Sequence, residues 1–259
     1  MVFTFDLKDK VVLVTGGYGH LGKAITESLL YHNASVYVLG RDRTKFDLVF
    51  NKNLSTNLNF VNCDISDSES LEKSLNEVII KEGKIDAVIN NAFYSSGQSP
   101  EEMSNEDFAY CLDGTLSSVF RMIKALIPIY KKQQKGKIIN VSSMYGVVAP
   151  QFEAYTDFPE YLNPPHYGAA KAGVIQLTKY YASYLGHHNV QVNCVTPGPF
   201  PSYTVQEKRG FVEELEKRTC LGRIGSPEDL AGAFIFLTSN ASNFITGQNI
   251  IVDGGWTIK

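Results

Sequence analysis

Cysteine is scarce in this 259-residue chain, with four in all, and none is paired in sequence. Cys63, Cys111, Cys194 and Cys220 stand far apart, with no Cys-x-x-Cys pair and no metal-ligand spacing. That excludes a disulfide framework and a thiolate metal site, and reads as reduced, mostly buried thiols in a cytoplasmic protein. Long hydrophobic runs are missing as well: nothing approaches the ~18 apolar residues of a membrane span. Residues 1–10 carry charges and no apolar run, which does not fit a secretory leader. Charge of one sign is also absent. The formal net charge is −3 and the pI about 6.0, so neither nucleic acid nor an anionic membrane is expected as a partner. The chain contains no internal repeat, linker or low-complexity segment.

What is present fits a soluble globular protein, with 44% hydrophobic and 20% charged residues. The length suits one large α/β domain or two small ones and allows a sizeable core. Short apolar runs alternate with helical patterns from end to end. The runs are Val11 to Val14, Ser35 to Leu39, Phe60 to Asn62, Ile85 to Ile89, Lys137 to Val141, Val190 to Val195 and Ile250 to Val252. Seven strands alternating with helices predict one Rossmann-type, doubly wound parallel sheet with helices on both faces, as a single domain over 1–259. Its crevice lies at the C-terminal ends of the strands.

The first strand runs into Thr15-Gly16-Gly17-Tyr18-Gly19-His20-Leu21-Gly22 and then a helix from Lys23 to Tyr31. Strand, glycine-rich turn and helix form a phosphate-binding device. Glycines let the backbone approach a pyrophosphate, and the helix N-terminus supplies N–H donors and partial positive charge. Gly17, Gly19 and Gly22 satisfy G-x-G-x-x-G at the first strand–helix junction, where the motif carries weight.

The second strand ends in Gly40-Arg41-Asp42-Arg43. In a dinucleotide fold this end faces the adenosine ribose. An acid there would bind the 2′-hydroxyl of NAD, and an arginine suits the 2′-phosphate of NADP. Gly40 stands where the acid is expected and Arg41 follows, so NADP(H) is favoured, with NAD(H) still possible and Asp42 the residue that argues for it. Asp64, with Ile65 after it, either accepts from the adenine amino group or caps the helix starting near Ser66-Asp67. Asn90, Asn91 and Ala92 end the fourth strand, where asparagine side chains either fix neighbouring backbone or touch a cofactor.

Residues 93–105 read as a polar loop, followed by one long helix over roughly 106–131 with Val119, Ile123, Leu126, Ile127 and Tyr130 at helical spacing. The fifth strand delivers Ser142-Ser143, and a serine just past a strand either donates to a substrate oxygen or turns the chain. A long aromatic and proline-containing segment separates Ser143 from Tyr167 and reads as a pocket wall, its aromatics serving equally well as filler for a small core of its own. His166 carries no second marker and is read as structural. Pro197-Gly198 ends the sixth strand. Residues 200–220 are polar and charged, as in a small mobile helical lid. Ser226 and Pro227 open a further helix, with Asp229 three on from the cap.

Tyr167 and Lys171 stand four apart, so on a helix over 172–182 and its approach they share one face. A free phenol titrates near pH 10. Bringing it to about 7 takes about 4 kcal/mol, the size of one unit charge at about 4 Å in an effective dielectric near 20. The Lys171 ammonium, with an oxidised nicotinamide, could make Tyr167 a working acid/base. Alone, the spacing describes a helix start with an exposed lysine equally well.

Taken together, Thr15-Gly16 to Gly22, Asp64, Asn90-Asn91-Ala92, Asn140-Val141-Ser142-Ser143, Tyr167 with Lys171, Pro197-Gly198, Gly222-Arg223, Thr246-Gly247-Gln248 and Asp253-Gly254-Gly255 resemble the short-chain dehydrogenase/reductase family over almost the whole chain. The resemblance implies an NAD(P)(H)-dependent oxidoreductase that interconverts a secondary alcohol and a ketone, in homodimers or homotetramers, with a small-molecule substrate and no metal. It implies Tyr167 exchanging a proton with the substrate oxygen, Lys171 lowering the tyrosine pKa and binding the nicotinamide ribose, and Ser143 polarising the carbonyl. Thr15 to Gly22, Arg41, Asp64, Ile65, Asn91, Ala92, Pro197 and Gly198 would line the cofactor.

Some positions depart from the family pattern. His20 stands where the short members usually have glycine, Phe93 follows Asn90-Asn91-Ala92 where glycine is usual, and Thr115 takes the place of a helical asparagine that holds a proton-relay water. The stretch from Ser143 to Tyr167 is longer than usual. It resembles a bacterial subgroup associated with sugar metabolism and surface glycans, which points to a sugar or nucleotide-sugar substrate. A 3-oxoacyl carrier-protein reductase and a catalytically silent dinucleotide sensor or scaffold are the rival expectations.

Overall fold

The computed structural model describes residues 5–50, 56–97 and 99–259. The start of the 1–10 segment, and Gln98 within the 93–105 loop, lie outside the described residues. Seven strands form one sheet: β1 Val11–Thr15, β2 Ser35–Gly40, β3 Leu58–Asn62, β4 Ala87–Asn90, β5 Gly136–Val141, β6 Val190–Pro197 and β7 Asn249–Val252. Their order is β3-β2-β1-β4-β5-β6-β7 and every pairing is parallel. Val12 of β1 pairs with Val36 on one side and Ala87 on the other, so the strand order reverses at β1. A crevice opens at such a reversal, beyond the strands' C-terminal ends.

The strands are apolar runs because both faces are covered. On one face Leu13, Tyr37, Val88, Ile138 and Val192 pack with α3 (Ser68–Glu82), α5 (Ser118–Gln133) and α6 (Pro165–Leu185). On the other, Val12, Val14, Val36, Ile89 and Ile139 pack with α1 (His20–Tyr31), α2 (Arg43–Phe50) and α9 (Pro227–Thr238). Adjacent residues of one strand thus enter different cores, which is the period-two geometry of a sheet. Among the described residues no helix is long and apolar enough to cross a membrane.

Several elements differ from the sequence expectation. The long helix over 106–131 is interrupted: α4 (Asn105–Leu112) and α5 are joined by a π turn, Asp113–Ser117. There the Ser118 hydroxyl donates to the Gly114 carbonyl, and Asp113 is held by Arg121 and Tyr94. An eight-residue helix, α2, follows β2, one of the alternating helices whose position was not picked out from sequence. α6 starts at Pro165, a residue suited to a first helical turn, so Tyr167 and Lys171 lie within the helix itself. Asp64 does not cap α3. Asp67 does, accepting the Glu69 N–H, while Asp64 closes a local turn on Ser66.

The segment from Ser143 to Tyr167 is not a pocket wall: no residue between Met144 and His166 lines the cleft. Its aromatics build a third core. Met144, Tyr145, Ala154 and Tyr155 pack with Phe211 and Leu215 of α8 (Arg209–Arg218) and with Trp256. Phe211 touches the rings of Tyr155, Phe158 and Tyr161 at centroid distances of 5.7, 5.5 and 4.7 Å. The expected lid is therefore helical, as α7 (Tyr203–Gln206) and α8, and α8 is docked on the long insert through a buried apolar face rather than standing free.

Candidate active site

The cleft has a volume of about 590 Å³ and runs from the glycine turn to the end of β5. Gly16, Tyr18, Gly19, His20 and Leu21 line one end, Arg41 and Ile65 a side, and Asn91, Ala92, Ser143, Tyr167, Lys171, Pro197 and Gly198 the remainder. The structure brings these expected residues together. Thr15, Gly17, Gly22 and Asp64, also expected there, are not among the residues that line it. The Thr15 hydroxyl accepts the Asn91 and Ala92 N–H groups at 3.0 Å each, and Asn91 Nδ2 donates to the Thr15 and Gly16 carbonyls at 3.1 and 3.2 Å. Asn91 thus fixes backbone, locking the end of β4 to the glycine turn. At Gly22 a Cβ would lie 2.2 Å from the Gly16 carbonyl oxygen, so only glycine lets α1 close on the turn.

Lys45, Phe93, Tyr94 and Ser202 also line the cleft and were not assigned to it from sequence. Lys45 arrives on α2, whose pattern went unread. Phe93 carried a signal, since an aromatic stands there in place of glycine. Its ring lies 5.9 Å from that of Tyr167, and the Lys171 ammonium sits 5.1 Å from its centroid.

Two elements meet to assemble Ser143, Tyr167 and Lys171. A short turn, Met144–Gly146, follows β5 and packs against α6. Gly146 and Gly168 permit the approach: a Cβ on the first would come 2.7 Å from the Lys171 backbone carbon, and on the second 2.8 Å from the Tyr145 carbonyl oxygen. The Ser142 hydroxyl pins the contact by donating to the Lys171 carbonyl at 2.8 Å. The Ser143 hydroxyl accepts the Tyr145 N–H at 3.2 Å, which leaves its own proton for the Tyr167 oxygen. The Lys171 ammonium donates to the Val141 carbonyl at 2.9 Å.

The electrostatics correct the sequence argument. Burial pushes the Tyr167 phenol above its ordinary value, and the Ser143 hydrogen bond pulls it back only in part. In the free cleft the Ser143 hydrogen bond, not the Lys171 charge, is what draws the phenol down. The Lys171 ammonium is turned to Val141, lies 5.6 Å from the centroid of the Tyr167 ring, and is itself brought down to about 8 by burial. Desolvation penalises the charged form of each group and is the largest cause of both shifts. Thr115 is buried and its hydroxyl has no hydrogen-bond partner among protein groups. His166 is buried too, with both ring nitrogens without protein partners and Phe108 edge-on at 6.5 Å. Asn90 donates to Asn140, which donates to Thr178, a buried chain that ties β4, β5 and α6 together.

On the rim, Arg41 pairs with Asp64 at 3.6 Å. The Asp42 carboxylate accepts the Lys45 N–H at 2.8 Å and so caps α2. Cys63, Cys111 and Cys194 are buried thiols and Cys220 is an exposed one. Among the described residues no three His, Cys, Asp or Glu side chains gather in a way that could hold a metal ion.

A parallel sheet with a glycine turn at its reversal point, and a serine, tyrosine and lysine converging past β5, define the architecture of a dinucleotide-type α/β oxidoreductase. Comparison with known proteins agrees. A family model described as Enoyl-(Acyl carrier protein) reductase matches residues 19–257. The 3-oxoacyl-acyl-carrier-protein reductase FabG of Thermotoga maritima is 32% identical over 262 residues, spanning 97% of this chain and 99% of that protein. L-fucose dehydrogenase of Mus musculus is 32% identical over 254 residues, 95% of this chain and 88% of that one. A short-chain dehydrogenase from Leptospira borgpetersenii, solved with bound NAD+, superposes with a TM-score of 0.88 at 30% identity, covering 100% of this chain and 97% of its own. The chain belongs to the short-chain dehydrogenase/reductase family of oxidoreductases.

Proposed function

We propose that this protein is an NADP(H)-preferring oxidoreductase that interconverts a secondary alcohol and a ketone, working as a single 1–259 domain in a cytoplasmic homodimer or homotetramer. The observation that carries the reading is the convergence of Ser143, Tyr167 and Lys171 at one end of a cleft whose other end is the glycine turn. The cleft suits a dinucleotide. The first turn of α1 has neither a side-chain cap nor an acidic residue, so its N–H donors and positive end stay available for a diphosphate. At the far side Arg41 and Lys45 line the cleft and would suit a 2′-phosphate, Arg41 exchanging its pairing with Asp64 for it, and the Asp42 carboxylate caps α2.

The nicotinamide supplies or accepts the hydride when bound. The chain's own residues handle the proton and the oxygen. Tyr167 is protonated in the cleft and so has a proton to give to a carbonyl oxygen in the direction of reduction. Ser143, whose proton faces the Tyr167 oxygen in the free cleft, would turn it to the substrate oxygen, and Lys171, held by Val141, would present its positive charge to the cofactor. In the oxidative direction the proton returns from the alcohol to Tyr167.

Replacing Tyr167 by phenylalanine tests this. Turnover on a panel of sugars, nucleotide sugars and acyl thioesters should fall by about 10²–10⁴-fold, while dinucleotide affinity stays within about twofold. A protein that binds dinucleotide, turns over nothing in the panel and is unchanged by Tyr167→Phe would be a silent sensor. Which substrates respond separates a sugar dehydrogenase from a carrier-protein reductase, the reading favoured by the FabG similarity.

A further inference from the structure

His20 is the first residue of α1 and stands at the rim where the glycine turn meets the segment leading to α7. Its ring meets Tyr203 edge-on, with centroids 5.3 Å apart at 87°. The backbone carbonyls of Phe200 and Pro201 lie beside the imidazole, and Nε2 is shut off from solvent without a regular hydrogen-bond partner. This side chain therefore touches both the diphosphate turn and the lid segment.

We propose that His20, as an imidazolium, binds the diphosphate of the dinucleotide and bridges it to the lid carbonyls of Phe200 and Pro201, so that binding takes up a proton and seats the lid. The inference rests on the dinucleotide reading above. A neutral imidazole carries one N–H and can serve the lid or the cleft; an imidazolium carries two and serves both. Burial holds the ring below its ordinary value in the free protein, so near neutral pH it is neutral until an anion arrives. The other groups facing it are the Glu228 carboxylate, which favours the proton, and the Tyr203 phenol on the lid side. The sign follows: affinity is flat above the pKa His20 has in the complex, rises as pH falls through it, and levels off below the pKa of the free protein.

ADP-ribose is the probe, because it has the diphosphate but neither a titrating 2′-phosphate nor the nicotinamide. Calorimetry runs from about pH 5.5 to 7.5, and because the His20 variants keep Lys171, any contribution from its titration cancels in the comparison. Affinity of the unmodified protein should rise about tenfold from the top of this range to the bottom. Buffers of different ionisation enthalpy should report proton uptake. In His20→Gln, or in His20→Asn if glutamine disturbs folding, the pH response should shrink to less than about twofold. Binding without proton uptake by the unmodified protein, or an equal slope in the variants, would overturn the inference and leave the dinucleotide reading standing. Failure of both ADP-ribose and NADPH to bind at any pH would overturn the two together.

Discussion

Asp113→Asn is expected to destabilise the protein by about 2 kcal/mol. Asp113 opens the π turn and receives three side-chain contacts. Arg121 donates to its two oxygens at 2.7 and 2.9 Å, and the Tyr94 hydroxyl donates to Oδ2. Arg121 reaches on to the Ile65 carbonyl at 3.1 Å. One carboxylate thus joins the loop after β4, the π turn and the loop after β3, and both Tyr94 and Ile65 line the cleft. The side chains are 15% exposed for Arg121 and 40% for Asp113. Removing one partner of a fully buried pair costs about 3–5 kcal/mol, and exposed pairs are worth about 0.2–1 kcal/mol. This pair lies between the two, and the isosteric asparagine still accepts one hydrogen bond, which gives the figure of about 2 kcal/mol. For a chain of this size each kcal/mol moves the midpoint by about 2–4 °C, so Tm should fall by about 4–8 °C.

Urea unfolding of Asp113→Asn, Arg121→Met and the double variant measures the pair directly, and a coupling of at least about 1 kcal/mol is expected. The pH dependence has a defined sign. The Arg121 guanidinium holds the Asp113 carboxyl below its ordinary 3.8. Its contribution is therefore complete above that value and is lost as pH falls through the lower folded-state pKa. The gap between the unmodified protein and Asp113→Asn should close in acid. A loss under about 0.5 kcal/mol with no coupling would mean that the network is a solvated surface pair and that something else shapes the π turn.

Arg41→Ala should weaken NADP(H) binding about tenfold and leave NAD(H) binding nearly unchanged, measured by fluorescence titration of both; a preference for NAD(H) in the unmodified protein would refute the cofactor assignment. Phe211→Ala removes a buried ring that touches three aromatics of the long insert. It should cost about 3–5 kcal/mol and expose both α8 and the insert to limited proteolysis, whereas cleavage in only one of them would show that they are not one packed unit.

The sheet was legible in the sequence because its strands are buried on both faces, and runs such as Val11 to Val14 can hardly be anything else. That Tyr167, Lys171 and Ser143 share one cleft was expected from the family resemblance more than from spacing, and the structure brings the three together there, beside the glycine turn. α2 was not legible. Among its buried residues only Phe46 and Phe50 mark a face, too little periodicity in eight residues. The π turn was hidden for a different reason: its partners Tyr94 and Arg121 are brought to Asp113 by the fold, not by local propensity. The long insert reads as loop because its aromatics follow no period, and the apolar face of α8 that makes sense of them lies far along the chain.

The charge state of the site was beyond spacing altogether. Four residues of helix place Tyr167 and Lys171 on one face but do not say where the ammonium points. That direction is set by the Val141 carbonyl, at the end of a strand separated from Lys171 by the whole insert. Once the ammonium is turned there and both groups are buried, desolvation decides the sign for each: the phenol moves up and the amine down to about 8. The same reasoning ties activation to occupancy of the cleft. The Lys171 ammonium faces the Phe93 and Tyr167 rings, 5.1 and 5.6 Å from their centroids. Positive charge arriving beside Tyr167 would shift its ionisation toward the phenolate without any rearrangement of the fold.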